Sequence, residues 1–521
     1  MKHTMRVAAF LLAMMLLLTA CGGGNSASTA ADPSAPKTTI SLALSENIKE
    51  LDPHNVFNFP SYTINWMVYD ALIESDRQGG YIPALATEWT KSEDGLTWTF
   101  KLREGVKFHN GEEFDSADVV ATYQRLIDNK LLACSATYWG YLAGVNAVDK
   151  YTVEITLTEA FGATEFALSN TYIIPDGAWA EFGEELWTEQ HAVGTGPWQL
   201  VEWLDGQYTK LKKFPESWAA YETTLEEVVL KHILEPSTAI NGQLAGDVDA
   251  YLATGGVARD MLGMYAGTEN KIEMVNQDVG IFHYIQFQCE EGSVFADAKV
   301  REAFSLAIDR QALVDYTLGA GSIPTGVIPT GAVGYTDSYT PWEYNPEKAK
   351  QLLAESSYNG ESFTLLTHTG IPMGKALLTP IQDYLKQVGF NVEINAVESS
   401  DLTNRRKTGD YDVFLASNNY VSGDPFEHIT NRIYNDAHNS HHGDQVLNDL
   451  IAQSNKELDP AKRADLIAQA NARMRETYSP QITTTQMQAC YPICYGVTGI
   501  QLYADGFINA RNVNWDPSLV K

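Results

Sequence analysis

Apolar and polar residues alternate with period two in TWTFKL (97–102) and TVEITL (152–157), the pattern of half-buried strands. The period lengthens to that of a helix in DSADVVATYQRLIDN (115–129). There Asp115 or Ser116 caps a face of Val119, Val120, Tyr123, Leu126 and Ile127. ADAKVREAFSLAIDRQALV (296–314) repeats the arrangement, with Val300, Phe304, Ala307 and Leu313 on one face of a single predicted helix. In YNPEKAKQLLAES (344–356), Asn345 stands at the cap and Pro346 at the first helical position, where its missing N–H costs nothing. TPIQDYLKQVGFNVEINAVE (379–398) reads as a helix, a stop at Gly389 and a strand, the unit of an α/β layer with a largely parallel sheet. Asp94-Gly95 and Asn110-Gly111 are turn dipeptides flanking a strand, hence scaffold. Gly194, Gly196 and Pro197 in VGTGPW predict a loop passing close to other backbone. The pattern is α/β throughout and contains no internal repeat.

The N-terminus departs from this pattern. Lys2 and Arg6 precede the apolar run Val7 to Leu18, which is shorter than the ~20 residues needed to cross a bilayer and reads as an export signal, residues 1–20. The junction LTAC resembles the bacterial lipobox, which makes Cys21 the expected lipidation site. GGGNSASTAADPSAPK then gives a flexible tether over 21–38, too poor in apolar residues to pack. The expected location is extracytoplasmic, lipid-anchored to the bacterial cell membrane. The remaining length, about 480 residues, suffices for two or more domains, each with its own core.

Charge narrows the partners. The chain has 36 basic and 66 acidic residues, a net charge of −30, and loss of Lys2 and Arg6 with the leader makes it more negative still. Such a surface repels phosphate backbones and anionic lipid, so no nucleic acid is expected and membrane contact falls to the lipid. Four cysteines remain besides Cys21. Cys490 and Cys494 would bridge only if Pro492 turns the chain, since a straight strand holds them ~13 Å apart. Cys134 and Cys289 are the other pair, and the sequence leaves all three connectivities open.

ALATEWTKSEDGLTWTFKLREGVKFHNGEEFDSADVVATYQRL (84–126), VGTGPWQL (193–200), AKVREAFSLAIDR (298–310), NPEKAKQLLAES (345–356) and GDYDVFLASNNYVSGDP (409–425) occur in an order that resembles the peptide/nickel family of extracellular solute-binding proteins, family 5, which serve ABC importers. The resemblance runs from about Ile40 to the C-terminus. It implies a two-lobed periplasmic-binding-protein-like α/β fold of the class II, cluster C type, with a hinge between lobes and a ligand held between them. On that template residues 39–284 form the first lobe with an extra subdomain, 285–485 the second, and 486–521 a return to the first. The strands would cross near HYIQFQ (283–288) and TTTQMQ (483–488). The partners implied are a short peptide or peptide-like solute and the importer's permease subunits. A monomer is expected, with no cofactor unless a metal complex is itself the ligand.

The resemblance also places a cleft lined by Phe59, Tyr62, Tyr138, Trp139, Tyr284, Asn418, Asn419, Tyr420 and Asp424. In peptide-binding members an aspartate three positions before the Asp-Pro pair meets the ligand's α-amino group. Here that pair is Asp424-Pro425 and the position holds Val421, which leaves Asp424 or a shift of the loop as the substitute. A buried ammonium without a carboxylate would be costly. In nickel-binding members a histidine after the Asp-Pro helix ligates the metal, and His438 falls near that place. The arginine that would hold an anionic chelator before Tyr138 is missing from LLACSAT. His438 is therefore a candidate metal ligand, while His441 and His442 in NDAHNSHHGDQ (435–445) read as a solvated turn. The enzyme reading, a lipid-anchored metal-dependent hydrolase using these histidines, finds no His-Glu-x-x-His, Gly-x-Ser-x-Gly or phosphate loop. An adhesin or signalling receptor on the same fold would look the same in sequence.

Overall fold

The helix Ser116–Asp128 shows how the periodic pattern becomes structure. Asp115 accepts from the backbone of its first turn while Asp118 reaches back to the cap, a reciprocal capping box. Val119, Tyr123 and Leu126 are fully buried, each worth roughly 1.5–3 kcal/mol of apolar transfer. They pack on a four-stranded antiparallel sheet, Ala86–Lys91, Thr97–Leu102, Thr152–Leu157 and Leu142–Asp149. This subdomain has its own core around Trp98, Phe100, Trp139 and Phe166.

The structure is a computed structural model. It describes residues 36–521 apart from 49, 56–58, 78–79, 189–190, 220, 317–320, 329–331, 369–373, 419–422 and 504–505. The predicted leader, Cys21 and most of the tether, and the cleft candidates Asn419 and Tyr420 with Val421, lie outside the described residues. No helix among the described residues is long and apolar enough to cross a membrane.

The large sheet runs Asn391–Val397, Ser362–His368, Val413–Asn418, Ile272–Phe287, Gln481–Cys494, Ala250–Leu252, Thr39–Leu44, Glu227–His232, Tyr208–Lys213 and Trp198–Leu204. Its two longest strands lie side by side in the middle and belong to both halves. Ile272 to Asp278 pair with Cys494 to Gln488, and Phe282 to Gln286 with Gln486 to Gln481. The register shifts between Asp278 and Phe282, and such a break bends and locally releases the ladder. In the first lobe Met487, Ala489, Tyr491 and Trp515 share a core with Ile40, Leu42 and Val228, so the C-terminal segment completes it. In the second lobe the sheet is covered on both faces. Ile285 and Phe287 pack with Phe304, Leu365 and Leu385, whereas Phe282 and Tyr284 pack with Phe414, Ile429 and Leu447.

Asn345 caps Pro346–Ala354, and Gly389 separates the helix Gly374–Val388 from a strand that pairs in parallel with Ser362–His368. The predicted single helix over 296–314 is instead two, Ala298–Ala307 and Arg310–Tyr316. Ile308 is extended, and the break turns Arg310 inward to donate to Thr483 O at 2.8 Å and Ser305 O at 3.0 Å. Gly194 and Gly196 make the expected close approach, since a Cβ on them would lie 2.0 Å from Val68 O and 2.5 Å from Met67 O. All four cysteines carry free thiols, Cys490 and Cys494 on one strand and Cys134 and Cys289 in different cores.

Candidate ligand-binding site

The helix Phe59–Val68 carries the first aromatic group of the predicted cleft. Phe59 stacks on Phe507 at 4.5 Å between ring centroids, Tyr62 meets the same ring edge-on at 4.6 Å, and the Tyr62 and Tyr138 hydroxyls lie 3.4 Å apart. Burial, then Tyr138 and the Glu427 carboxylate of the second lobe, hold the Tyr62 hydroxyl well above its ordinary range. Trp139 is fully enclosed instead. Its indole N–H donates to Thr171 Oγ1 at 2.8 Å and its ring meets Tyr123 at 5.2 Å, so it supports Tyr138 from behind.

On the second lobe, Asn418 ends its strand and donates from Nδ2 to His428 Nδ1 at 2.7 Å. That fixes the imidazole proton on Nε2, which donates to Gln481 Oε1 at 2.7 Å, and Gln481 Nε2 donates to Gln286 Oε1 at 2.6 Å. The relay ties the end of the strand Val413–Asn418 to both central strands. The next segment, Glu427–Tyr434, is a π-helix, a rare geometry frequent at functional sites. It pairs Arg432 with Glu427 at 3.2 Å, and both side chains keep partial exposure. Tyr284 lies fully buried against His428 and Phe414.

Asp424 is committed elsewhere. Arg463 Nη1 and Nη2 donate to its two oxygens at 2.6 and 2.9 Å, and the Phe426 N–H adds a third bond. With Asp424 only 3% exposed, this fork neutralises the carboxylate that sequence reasoning offered as the substitute for Val421. The pair borders a cavity of about 480 Å³ between the lobes, lined by Tyr81, Trp98, Phe161 and Glu165 on one side and Val333, Leu458 and Arg463 on the other. The volume lies in the range of small-molecule sites. Beside it the lobes touch directly. Gly162 N–H donates to Asn455 O at 2.6 Å, Phe161 meets Phe426 edge-on at 4.8 Å, and Lys91 Nζ donates to Leu458 O at 2.7 Å.

The histidine cluster divides. His438 is 7% exposed, its ring against Phe414 and its Nδ1 without a hydrogen-bond partner. His441 and His442 lie in an Asp436-capped turn whose carboxylate accepts from Ser440 and His441 N–H groups. Among the described residues the one group of three potential metal ligands within 4.8 Å of one another is Glu112, Asp118 and Asp176, which contains none of these histidines.

Burial also holds imidazoles neutral, pushing His428 down to about 3, His438 to about 2 and His54 to about 4. The unfolded chain, titrating near 6.5, binds more protons than the folded one below that pH. Stability is therefore complete above pH 6.5 and declines as the pH falls toward the folded values, by about 1.4 kcal/mol per pH unit for each histidine. His428→Gln should flatten that decline by about this amount in urea titrations between roughly pH 6 and 4. An unchanged slope would mean that His428 titrates as in water.

The family model for bacterial extracellular solute-binding proteins, family 5 Middle, matches residues 80–439. The glutathione-binding protein GsiB of Salmonella paratyphi A is 31% identical over 378 residues, covering 71% of this chain and 72% of that protein. The chain belongs to the family 5 solute-binding proteins. GsiB of Escherichia coli O157:H7 is 30% identical over 364 residues, 69% of this chain and 70% of that one. Among solved structures, DppA of Helicobacter pylori in complex with the peptide STSA superposes with a TM-score of 0.75 at 23% identity, covering 92% of this chain and 99% of that one. NikA of Brucella suis in complex with Fe(III)-EDTA gives 0.81 at 21% identity, covering 92% and 100%. This family 5 protein therefore has the two-lobed binding-protein fold, works outside the cytoplasm as the solute-binding part of an ABC importer, and is not an enzyme.

Sequence reasoning missed Glu427, Arg432, Tyr81, Glu165 and Phe507. Glu427 and Arg432 are five residues apart, a spacing that faces in a π-helix but not at the three- or four-residue spacings of an α-helix. Nothing local marks the other three, which the fold brings in from distant segments.

Proposed function

We propose that this protein is a lipid-anchored extracytoplasmic receptor that captures a short peptide or peptide-like solute between its lobes and hands it to ABC permease subunits. The observation that carries the reading is the interlobe cavity of about 480 Å³ with walls from both lobes. Glu427, partly exposed and paired with Arg432, acts on the Tyr62 and Tyr138 hydroxyls of the other lobe. A zwitterionic, partly apolar solute matches such a lining, with a carboxylate drawn to Arg432 and rings to pack on Phe59, Tyr62 and Tyr138. Asn418, with Asn419 and Tyr420 next in the chain, would supply hydrogen bonds. The relatives named for glutathione and the neighbour holding STSA favour a peptide over other solutes.

The test is mass spectrometry of ligand co-purified from native membranes, with metal analysis of the same sample. A peptide-like mass without metal is the expected result. The second reading, a metal chelate, draws on the NikA neighbour and on the unpartnered Nδ1 of His438. Stoichiometric nickel, copper or zinc that vanishes in His438→Ala would replace the peptide by that chelate.

Anchoring is read from LTAC and the tether. Cys21→Ala should leave the protein unprocessed or release it into the medium. Unchanged membrane retention of the processed mutant, followed by fractionation and intact-mass measurement, would refute the anchor.

A further inference from the structure

The interlobe cavity has an acidic corner that the surrounding ion pairs leave uncompensated. Its first-lobe wall carries Tyr81, in the short strand Tyr81–Pro83, and Glu165, in the first turn of the helix Thr164–Ser169. Glu165 Oε1 accepts the Trp89 indole N–H at 2.9 Å, and no described residue donates to Oε2. The Tyr81 hydroxyl has no hydrogen-bond partner among the described residues. Across the cavity, Asp424 and Arg463 cancel each other in their fork. The other two charges on the wall, Lys91 and Glu457, have opposite signs. The wall therefore carries one net negative charge, and Glu165 stands on it without an ion-pair partner among the described residues.

A half-buried carboxylate lacking a counterion is stabilised by whatever cation the cavity admits. Burial first, and then Asp424, hold Tyr81 well above its usual range, so its hydroxyl is neutral and able to accept an N–H. Trp98 and Phe161 provide apolar wall around the two polar groups, which suits an amine on a short carbon frame better than a hydrated metal ion. The cavity reaches Gly423, since Val333, on its wall, donates its N–H to Gly423 O at 2.8 Å. Residues 419–422 contain no acid, and the carboxylate of Asp424 is engaged by Arg463.

We propose that Glu165 and Tyr81 form the subsite that receives the ammonium group of the ligand, Glu165 through Oε2 and Tyr81 through its hydroxyl oxygen. The assignment rests on the peptide reading above and names the acid that reading leaves unassigned. It places the ligand's cationic end against the subdomain, on the lobe opposite Asp424.

Capture of an Ala-X-Ala tripeptide library, free and N-acetylated, tests it by mass spectrometry of retained peptides and by titration of the best retained member. The wild type should retain free-amine members and lose the acetylated ones. Glu165→Gln keeps an oxygen for the Trp89 indole, so the fold is preserved, yet the affinity should drop by on the order of ten- to a hundredfold, the effect of losing a charged hydrogen-bond partner. Tyr81→Phe should weaken binding about fivefold. Equal retention of acetylated peptides, or unchanged affinity in Glu165→Gln, would overturn the ammonium subsite while leaving the peptide reading intact. A wild type that retains neither library would refute the peptide reading itself and the subsite with it.

Discussion

Arg463→Met should destabilise the protein by about 3–5 kcal/mol, because it strands Asp424 as an unpaired charge in a site with almost no access to water. Asp424 is 3% exposed and its two oxygens accept from Arg463 at 2.6 and 2.9 Å, with the Phe426 N–H as the one remaining donor described. Removing both charges removes the cause, so the double variant Asp424→Asn/Arg463→Met should be more stable than the single one by on the order of 2 kcal/mol. The single variant's deficit should also shrink in acid, where the stranded carboxyl can take up a proton. Urea unfolding of the three proteins at neutral and mildly acidic pH measures all of this. A cost below about 1 kcal/mol for Arg463→Met would show that water reaches Asp424 and that the fork is an ordinary surface pair.

Gly162→Val should cut ligand affinity by about 5- to 150-fold, corresponding to 1–3 kcal/mol of lost closure. In the structure a Cβ at Gly162 would lie 2.5 Å from Glu457 O and 2.7 Å from Ser454 O, both backbone atoms of the opposite lobe that cannot step aside alone. Gly162 itself has no positive φ, so valine is acceptable within its own lobe and the strain arises only when the lobes meet. The variant should fold, keep its melting temperature nearly unchanged without ligand, and show a larger radius of gyration by small-angle scattering once the co-purified ligand is added back. Binding as tight as the wild type's, with the same compaction, would mean that the contact of Gly162 with Asn455 is absent from the ligand-bound form.

The two variants separate two jobs done within one small region. The Asp424–Arg463 fork acts inside the second lobe and holds the segment that begins at Asp424. The Gly162, Phe161 and Lys91 contacts act between lobes and bear on how closed the molecule is.

The sequence by itself determined the local elements and the family. Capping at Asp115 and Asn345, the period-two strands and the glycines that admit close backbone approach depend on residues within a few positions of one another, or on the absence of a side chain, and such signals survive in a one-dimensional pattern. Which charges are free was decided only by the tertiary structure. Asp424 looked available in sequence, but its partner stands thirty-nine positions away on the helix Pro460–Thr477. Trp139 followed a cleft tyrosine in sequence, but its ring turns into the subdomain core. The helix over 296–314 broke because a buried Arg310 reaches a strand more than a hundred and seventy positions later. Glu165 and Tyr81 carry no motif, and they became a candidate subsite because folding set them beside a cavity in which Asp424 and Arg463 neutralise each other. Electrostatic compensation is a sum over neighbours in space, so no reading of neighbours along the chain could have assigned it.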